Sequence, residues 1–424
     1  MPIRSFILII TWIWAFGATG AELDKESITL QAALFKAYSA NPAIAASQAL
    51  ADAEHAAIQS ESFLEDPKVG LMRENNMSFM QMQQGPMDSI SVSQQFKFPV
   101  KYILSNKSQS AKANQAEEMA KQKRLEVRTK VVSAYYSLYS VDRVLALLNA
   151  QRESLREIAR IAETRYSTGG VPQQDEMKAH VEQTLLEKDT LMVQEELSTI
   201  QAALSAAMGD NSRKEIALPK EELKIPEVTI ELAEIPKQIE LHSREIKVAQ
   251  FAVVESETQK SLSYLGYAPD FSLNYRRMLG SFGFQNAYSA SIEFTIPLWF
   301  FAKQSNEVSS ASSRAIEAQK KLESIKNDKT AEAKSLTAKV RSFKRVLEVY
   351  QTGLIPQAAS TLNSSRASYR AGRSGFIELL DSERSLYNVR IAYYRILSQF
   401  TESLSKLEEI MGRSLSTLPF GEIE

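Results

Sequence analysis

Three carboxylates stand where they have more to do than solvate a surface. Asp175 and Glu378 each lie six residues beyond a glycine, Gly169 and Gly372, and Asp381 follows Glu378 by three. Residues three apart on a helix share a face, so Glu378 and Asp381 point the same way. If the chain assembles about a symmetry axis, each becomes a ring of carboxylates. Such a ring attracts cations and offers ion-pair partners for holding an aperture shut. The alternative is an ordinary helix start, where acids complement the helix dipole. Recurrence of the spacing in both halves of the chain favours the ring.

No catalytic set accompanies these acids. His55, His180 and His242 are dispersed without partners at ligand spacing, and no zinc motif is present. There is no G-x-S-x-G, Walker A or dinucleotide loop. With no cysteine, the chain has no disulfide, thiolate metal site or thiol nucleophile. Fifty Lys and Arg against 51 Asp and Glu remove any dominant pull toward nucleic acid or anionic membrane. The basic residues Lys101, Lys107, Lys112, Lys121, Lys123 and Arg124 are interspersed with acids, as on a solvated helix face. The sequence reads as a non-enzyme that needs no cofactor and no resident metal.

The elements that must position the acids are written twice. Arg165-Tyr166-Ser167-Thr168-Gly169 returns as Ser368-Tyr369-Arg370-Ala371-Gly372, and Met208-Gly209 returns as Met411-Gly412, both at an offset of 203. Pro67 pairs with Pro269 at 202, and Phe96 and Pro99 pair with Phe294 and Pro297 at 198. Such an ordered series marks an internal repeat. Glycine and proline number only 15 and 13 in 424 residues, so long uninterrupted helices are expected. Val100 to Thr168 is 69 residues without either breaker, Leu298 to Thr352 is 55, and Gln173–Met208 and Phe376–Met411 are 36 each. At about 1.5 Å per residue the longest makes a rod on the order of 100 Å. Apolar residues step by three and four along these stretches, as Val131, Ala134, Leu138, Val141, Leu145 and Leu148 do, which is coiled-coil spacing.

Between the rods lie four short stretches of period two. Tyr288, Ala290, Ile292, Phe294 and Ile296 alternate with Ser289, Ser291, Glu293 and Thr295, and the others follow the same rule less cleanly. Alternation over roughly ten residues fits a membrane barrel strand, and equally a half-buried soluble sheet. Two features favour membrane. Arg4, the apolar run Ser5 to Phe16 and the small residues Gly17 to Ala21 form a secretory signal peptide, too short to span. Trp299-Phe300-Phe301 follows the last strand like an interfacial aromatic girdle. Four strands cannot close a barrel, and lipid tolerates no unpaired edge, so several copies must contribute strands to one tube.

At this point the chain resembles the outer-membrane efflux protein family typified by TolC, over nearly all of the mature sequence. The resemblance rests on the paired motifs at 165–169 and 369–372, the acid six residues after each glycine, the following 36-residue helices ending in Met-Gly, and Phe376-Ile377-Glu378-Leu379-Leu380-Asp381. Tyr350 through Pro356 and on to Tyr369 is most similar to the cation-efflux branch. The resemblance implies a mainly α fold with a small transmembrane β part. In it a duplicated helix-strand-strand-helix-helix unit builds a periplasmic tunnel of coiled-coil helices under a trimeric twelve-stranded barrel in the cell outer membrane.

The organisation that follows is a signal peptide at 1–21, a first repeat at 22–210, a linker or equatorial segment at 211–229, a second repeat at 230–412 and a tail at 413–424. Strands are expected near 68–80, 88–98, 270–279 and 287–297, and long helices near 101–167, 173–208, 302–370 and 376–411. The function implied is the passive exit duct of a tripartite efflux system for metal cations or small toxic molecules. Its partners are a periplasmic adaptor, an inner-membrane pump, outer-membrane lipid and two further copies of the chain, with no nucleic acid. A type I protein-secretion duct and a coiled-coil structural protein are the alternatives. Carried over residue by residue, the family's periplasmic aperture falls on Glu378, Asp381, Asp175 and Tyr369. Its latch arginine falls at Ser374, which leaves the adjacent Arg373 as substitute. The turns at Gly169, Gly170, Gly372 and Gly375 are the candidate adaptor-docking tips.

Overall fold

The structure, a computed structural model, describes residues 27–74, 87–167, 172–210, 216–217, 222–228, 235–280 and 287–419. The expected signal peptide, the strand-to-strand loops and the first docking turn, with Gly169 and Gly170, lie outside the described residues. In chain order the elements are α1 (Leu30–Ala40), α2 (Pro42–Ser62), β1 (Lys68–Glu74), β2 (Met87–Phe96), α3 (Pro99–Ser167), α4 (Gln173–Ala207), α5 (Ile235–His242), α6 (Arg244–Tyr264), β3 (Asp270–Gly280), β4 (Ala287–Thr295), α7 (Gln304–Val349), α8 (Ile355–Arg370) and α9 (Phe376–Met411).

Proline and glycine explain where these bounds depart from the sequence reading. Helix α3 starts at Pro99 rather than 101, because proline's missing N–H is no loss in a first helical turn. The ladder of β2 therefore stops at Phe96, and the Phe98 N–H donates instead to the Asp270 side chain at 2.8 Å. The expected single helix 302–370 is α7 and α8 joined by one π turn, Tyr350–Leu354. Pro356 has no N–H to continue an α ladder, and the wider turn absorbs the missing bond.

Helix α3, at 69 residues, is the spine. Helices α2, α4, α6 and α9 all pack against it. One apolar core gathers α1, the middle of α3 (Val127–Tyr139), α7 (Ala333–Leu347) and the C-terminal half of α9. A second lies toward the α8–α9 turn, built from Val141–Ala162 of α3, Ala179–Val193 of α4, Leu362 and Tyr369 of α8, and Phe376–Leu386 of α9. The residues at three-and-four spacing are the ones that go inside: Val131, Leu138, Val141, Leu148, Leu155 and Ala162 are all buried.

Each repeat closes on its own beginning. Gly209 (φ 70°) ends the first repeat's last helix, and a Cβ there would sit 2.6 Å from the Ala40 carbonyl oxygen, at the α1–α2 break. Gly412 (φ 63°) ends the second, where a Cβ would come within 2.2 Å of the His242 carbonyl oxygen, at the α5–α6 break. Ala40 and His242 are 202 residues apart, so the two contacts are one device used twice. A buried ion pair ties the repeats together. Arg128 of α3 meets Glu408 of α9 at 2.7 Å, both fully buried. Arg128 Nε donates to the Pro419 carbonyl at 2.9 Å, while Glu408 accepts from the Leu415 N–H at 2.9 Å and the Ser416 hydroxyl at 2.7 Å. Burial of two charges is tolerated only where hydrogen bonds of this kind accompany the pair.

The four strands form one antiparallel meander in the order β1-β2-β3-β4. Register separates its faces. Val69, Val92, Tyr275 and Ala290 share one row, and Phe96, Phe271 and Phe294 another on the same face. The opposite face carries Ser91, Ser93, Gln95, Ser272, Asn274, Ser291 and Glu293. The apolar face is bare: Tyr288 is 75% exposed, Ile292 60% and Phe294 62%. Trp299, Phe300 and Phe301 are exposed in the turn beyond β4. Among the described residues no helix is long and apolar enough to cross a membrane.

Two outcomes follow. Gly412→Ala must carry a left-handed backbone, disfavoured by about 1–2 kcal/mol in L-residues, and also push the His242 carbonyl away. A fall in thermal midpoint well beyond that of Gly353→Ala, where a Cβ meets open space, is the expected result. Ile292→Lys places a charge on the bare face and is expected to disfavour membrane assembly by about 2–4 kcal/mol. Ser291→Lys, on the other face, is expected to leave recovery in the outer-membrane fraction unchanged.

Candidate functional site

The acids sit at the end of the molecule remote from the sheet, where α8 turns into α9. That reversal is a Schellman turn: the Gly372 N–H donates to the Tyr369 carbonyl at 3.0 Å and the Arg373 N–H to the Ser368 carbonyl at 2.9 Å. Gly372, at φ 70°, supplies the left-handed residue the motif requires. Helix α9 then buries Phe376, Leu379, Leu380, Glu383 and Leu386 and exposes Ile377, Glu378, Asp381, Arg384 and Ser385. Glu378 and Asp381 thus share a solvent face, one helical turn apart, as their spacing requires. Asp175 lies half-buried in the first turn of α4.

Tyr369 is 1% exposed in the protomer, on the buried stripe of α8 with Leu362 and Ser365. The Arg165 guanidinium at the end of α3 lies 4.9 Å from its ring centroid, and Phe376 meets the ring edge-on at 6.1 Å. Arg165 Nη1 also donates to the Tyr369 carbonyl at 2.9 Å. Burial raises the Tyr369 hydroxyl pKa; Arg165 opposes that shift and Asp175 adds to it, so Asp175 and Tyr369 share one electrostatic environment. Arg373 is exposed and makes no ion pair among the described residues, whereas Arg165 holds both the ring and the carbonyl of Tyr369. Gly375 caps the start of α9 with extended backbone and open space around it.

Further ion pairs brace the same end. Arg370 donates to Glu157 at 2.8 Å, Arg384 Nε donates to Glu182 at 2.8 Å, and Arg366 donates to the Ser154 hydroxyl. Between them lies a residue that sequence reasoning passed over. Glu383 is 0% exposed, and neither carboxylate oxygen has a hydrogen-bond partner. Burial pushes its pKa up to about 7, against the pull of Ser154 and Arg366. The signal was available, since Glu383 stands seven after Phe376, four after Leu379 and three before Leu386, on the apolar stripe. Among the described residues no group of His, Asp or Glu is arranged to hold a metal ion.

The whole chain can now be set beside known proteins. A family model described as "Outer membrane efflux protein" matches residues 33–210 and 235–413, the two repeats. The chain belongs to the outer membrane efflux protein family. This efflux protein is therefore an outer-membrane transport component, not an enzyme. It is 22% identical over 296 residues to the cobalt-zinc-cadmium resistance protein CzcC of Cupriavidus metallidurans, covering 68% of each chain. Its fold is that of VceC from Vibrio cholerae (TM-score 0.77, 16% identity, 91% of this chain and 96% of that one). It also matches the CmeC channel of Campylobacter jejuni (TM-score 0.78, 14% identity, 98% and 95%). VceC is a solved outer-membrane protein and CmeC a solved outer-membrane channel, and this efflux protein shares their fold.

Glu383 gives the site a pH dependence of definite sign. Its folded pKa lies above the unfolded value, so the native state holds the extra proton. The contribution of Glu383 to stability is therefore greatest at acid pH and declines as pH rises from about 4.5 toward 7, levelling off beyond. Glu383→Gln keeps the neutral shape. It is expected to flatten that decline and to be the more stable form at pH 8, by at most a few kcal/mol. Denaturant titrations of both forms at pH 5 and pH 8 measure the difference.

Proposed function

We propose that three copies of this efflux protein form the exit duct of a tripartite efflux system. In this reading each donates four strands to a twelve-stranded barrel, and a periplasmic adaptor and an inner-membrane pump dock at the opposite end. One observation carries the reading. The sheet leaves β1 and β4 as unpaired edges and one apolar face bare, a combination that neither water nor lipid accepts in a lone chain. Because β1 and β4 run antiparallel in the meander, β4 of one copy fits β1 of the next without breaking the alternation. Closure of the helices above the same axis gives the duct.

Metal cations are the cargo class this reading favours. The name of the relative CzcC speaks of resistance to cobalt, zinc and cadmium, and acids at a narrow end attract cations. Glu378 and Asp381 would form stacked carboxylate rings at the periplasmic tip, with Asp175 and Tyr369 behind them. In the same reading the turns at Gly169, Gly170, Gly372 and Gly375 meet the adaptor. Arg165, rather than Arg373, holds each protomer's tip closed through Tyr369.

Planar-bilayer recording tests the gate. The double variant Glu378→Gln with Asp381→Asn is expected to lower cation-over-anion selectivity several-fold in trimers of unchanged size. Unchanged selectivity removes the acid rings from the gate. A protein that stays monomeric and soluble without detergent ends the duct reading altogether.

A further inference from the structure

The polar face of the sheet turns apolar at its outer end, where Met72, Met278 and Ala287 stand in one row and Met87, between Glu74 and Gly280, in the next. Rows on this face, from the helical end outward, read Lys68–Ser93–Asn274–Ser291, then Gly70–Ser91–Arg276–Ser289, then Met72–Ser89–Met278–Ala287. Met72 and Met278 thus lie in one row, on the same face, on either side of a serine. Neither faces lipid, so apolar contact with a membrane does not account for them. Met72 is 47% exposed, which leaves its thioether open to the space in front of the sheet. The surrounding sequence is biased the same way: five of the chain's twelve methionines fall within residues 72–87.

Geometry allows the two side chains to meet. Strands two apart in a sheet are separated by about 9.6 Å, and methionine is long, unbranched and adaptable. The short Ser89 side chain leaves nothing between them. Two thioethers converging over a serine make a soft, neutral donor pair. Soft sulfur ligands of this kind select Cu(I) and its congener Ag(I) over Zn(II), Co(II) or Mg(II). The chain has no cysteine, so thioether is its only sulfur donor. No competing group of His, Asp or Glu suited to the harder ions is present among the described residues.

We infer that Met72 and Met278 form a transit site for soft monovalent metal cations, Cu(I) or Ag(I), near the outer mouth of the barrel, one site in each protomer. The inference rests on the duct reading and narrows its cargo. Arg276 lies one row inward and Glu74 one row outward, each about 7 Å along its strand, so their charges offset and two neutral thioethers alone hold the ion weakly. Weak binding suits a conduction path, where an ion must be able to leave.

The test uses the detergent-purified trimer in chloride-free buffer, with Ag(I) as an oxidation-stable probe. Equilibrium dialysis of wild-type protein is expected to show bound Ag(I) that excess Zn(II) does not displace. Met72→Leu with Met278→Leu conserves volume and is expected to lose one Ag(I) per protomer. Met119→Leu with Met192→Leu, on the helices, is expected to bind as wild type does. Wild-type protein that binds no Ag(I), loses it to Zn(II), or matches the Met72/Met278 variant in stoichiometry overturns the site. Bilayer conductance of the same samples separates the two readings. A conducting trimer without Ag(I) binding defeats only this inference, whereas a preparation that forms no pore defeats the duct itself.

Discussion

Everything in this molecule answers to backbone polar groups that must find partners in a solvent offering none. A four-stranded meander with one apolar face satisfies its interior ladders and leaves two edges open. In water those edges would be tolerable and the apolar face would not; in lipid the preferences reverse. Neither solvent suits the single chain, and in the proposed assembly symmetry supplies what it lacks. The helical part inherits the consequence. In that assembly, elements that leave a closed ring of strands start on a circle, and rods of 69 and 46 residues carry that circle far from the membrane.

The duplication makes this economical. Each half ends on a glycine pressed against the backbone break between its own first two helices, Gly209 on Ala40 and Gly412 on His242. The halves are then joined by α3 and α9 and by the pairing of β2 with β3. Regular apolar stripes hold the length of the rods, while polar groups concentrate where the chain must stop or turn.

Much of this was legible in the sequence because it depends on period and on breakers. Scarce glycine and proline announced the long helices, offset matches announced the repeat, and alternation in Tyr288–Ile296 announced a two-faced strand. Glu378 and Asp381 emerged on one exposed face because a spacing of three is a statement about helix geometry. What stayed hidden depends on contacts between distant residues. Arg165 and Tyr369 meet across 204 positions, and the motif Tyr369-Arg370 drew attention to the neighbouring arginines instead. The π turn at Tyr350–Leu354 was concealed because length and period read 302–370 as one helix, and only the hydrogen bond missing at Pro356 calls for a wider turn. Glu383 and Arg128 were overlooked for a third reason. Charged residue types suggested water, although both stand at apolar-stripe positions.

The ion pair of Arg128 and Glu408 also sets an order of events. Chains are made, and threaded across membranes, from the N-terminus. By the time Arg128 arrives, neither Glu408 nor the Pro419 carbonyl that completes its shell exists on the far side. For nearly 300 residues the nascent spine therefore lacks the carboxylate and the carbonyl that Arg128 meets in the folded protein. Consolidation of the central core must wait for the final stretch of polypeptide. A chain truncated shortly before Glu408 would hold almost every helix and still lack the buried ion pair that joins α3 to α9.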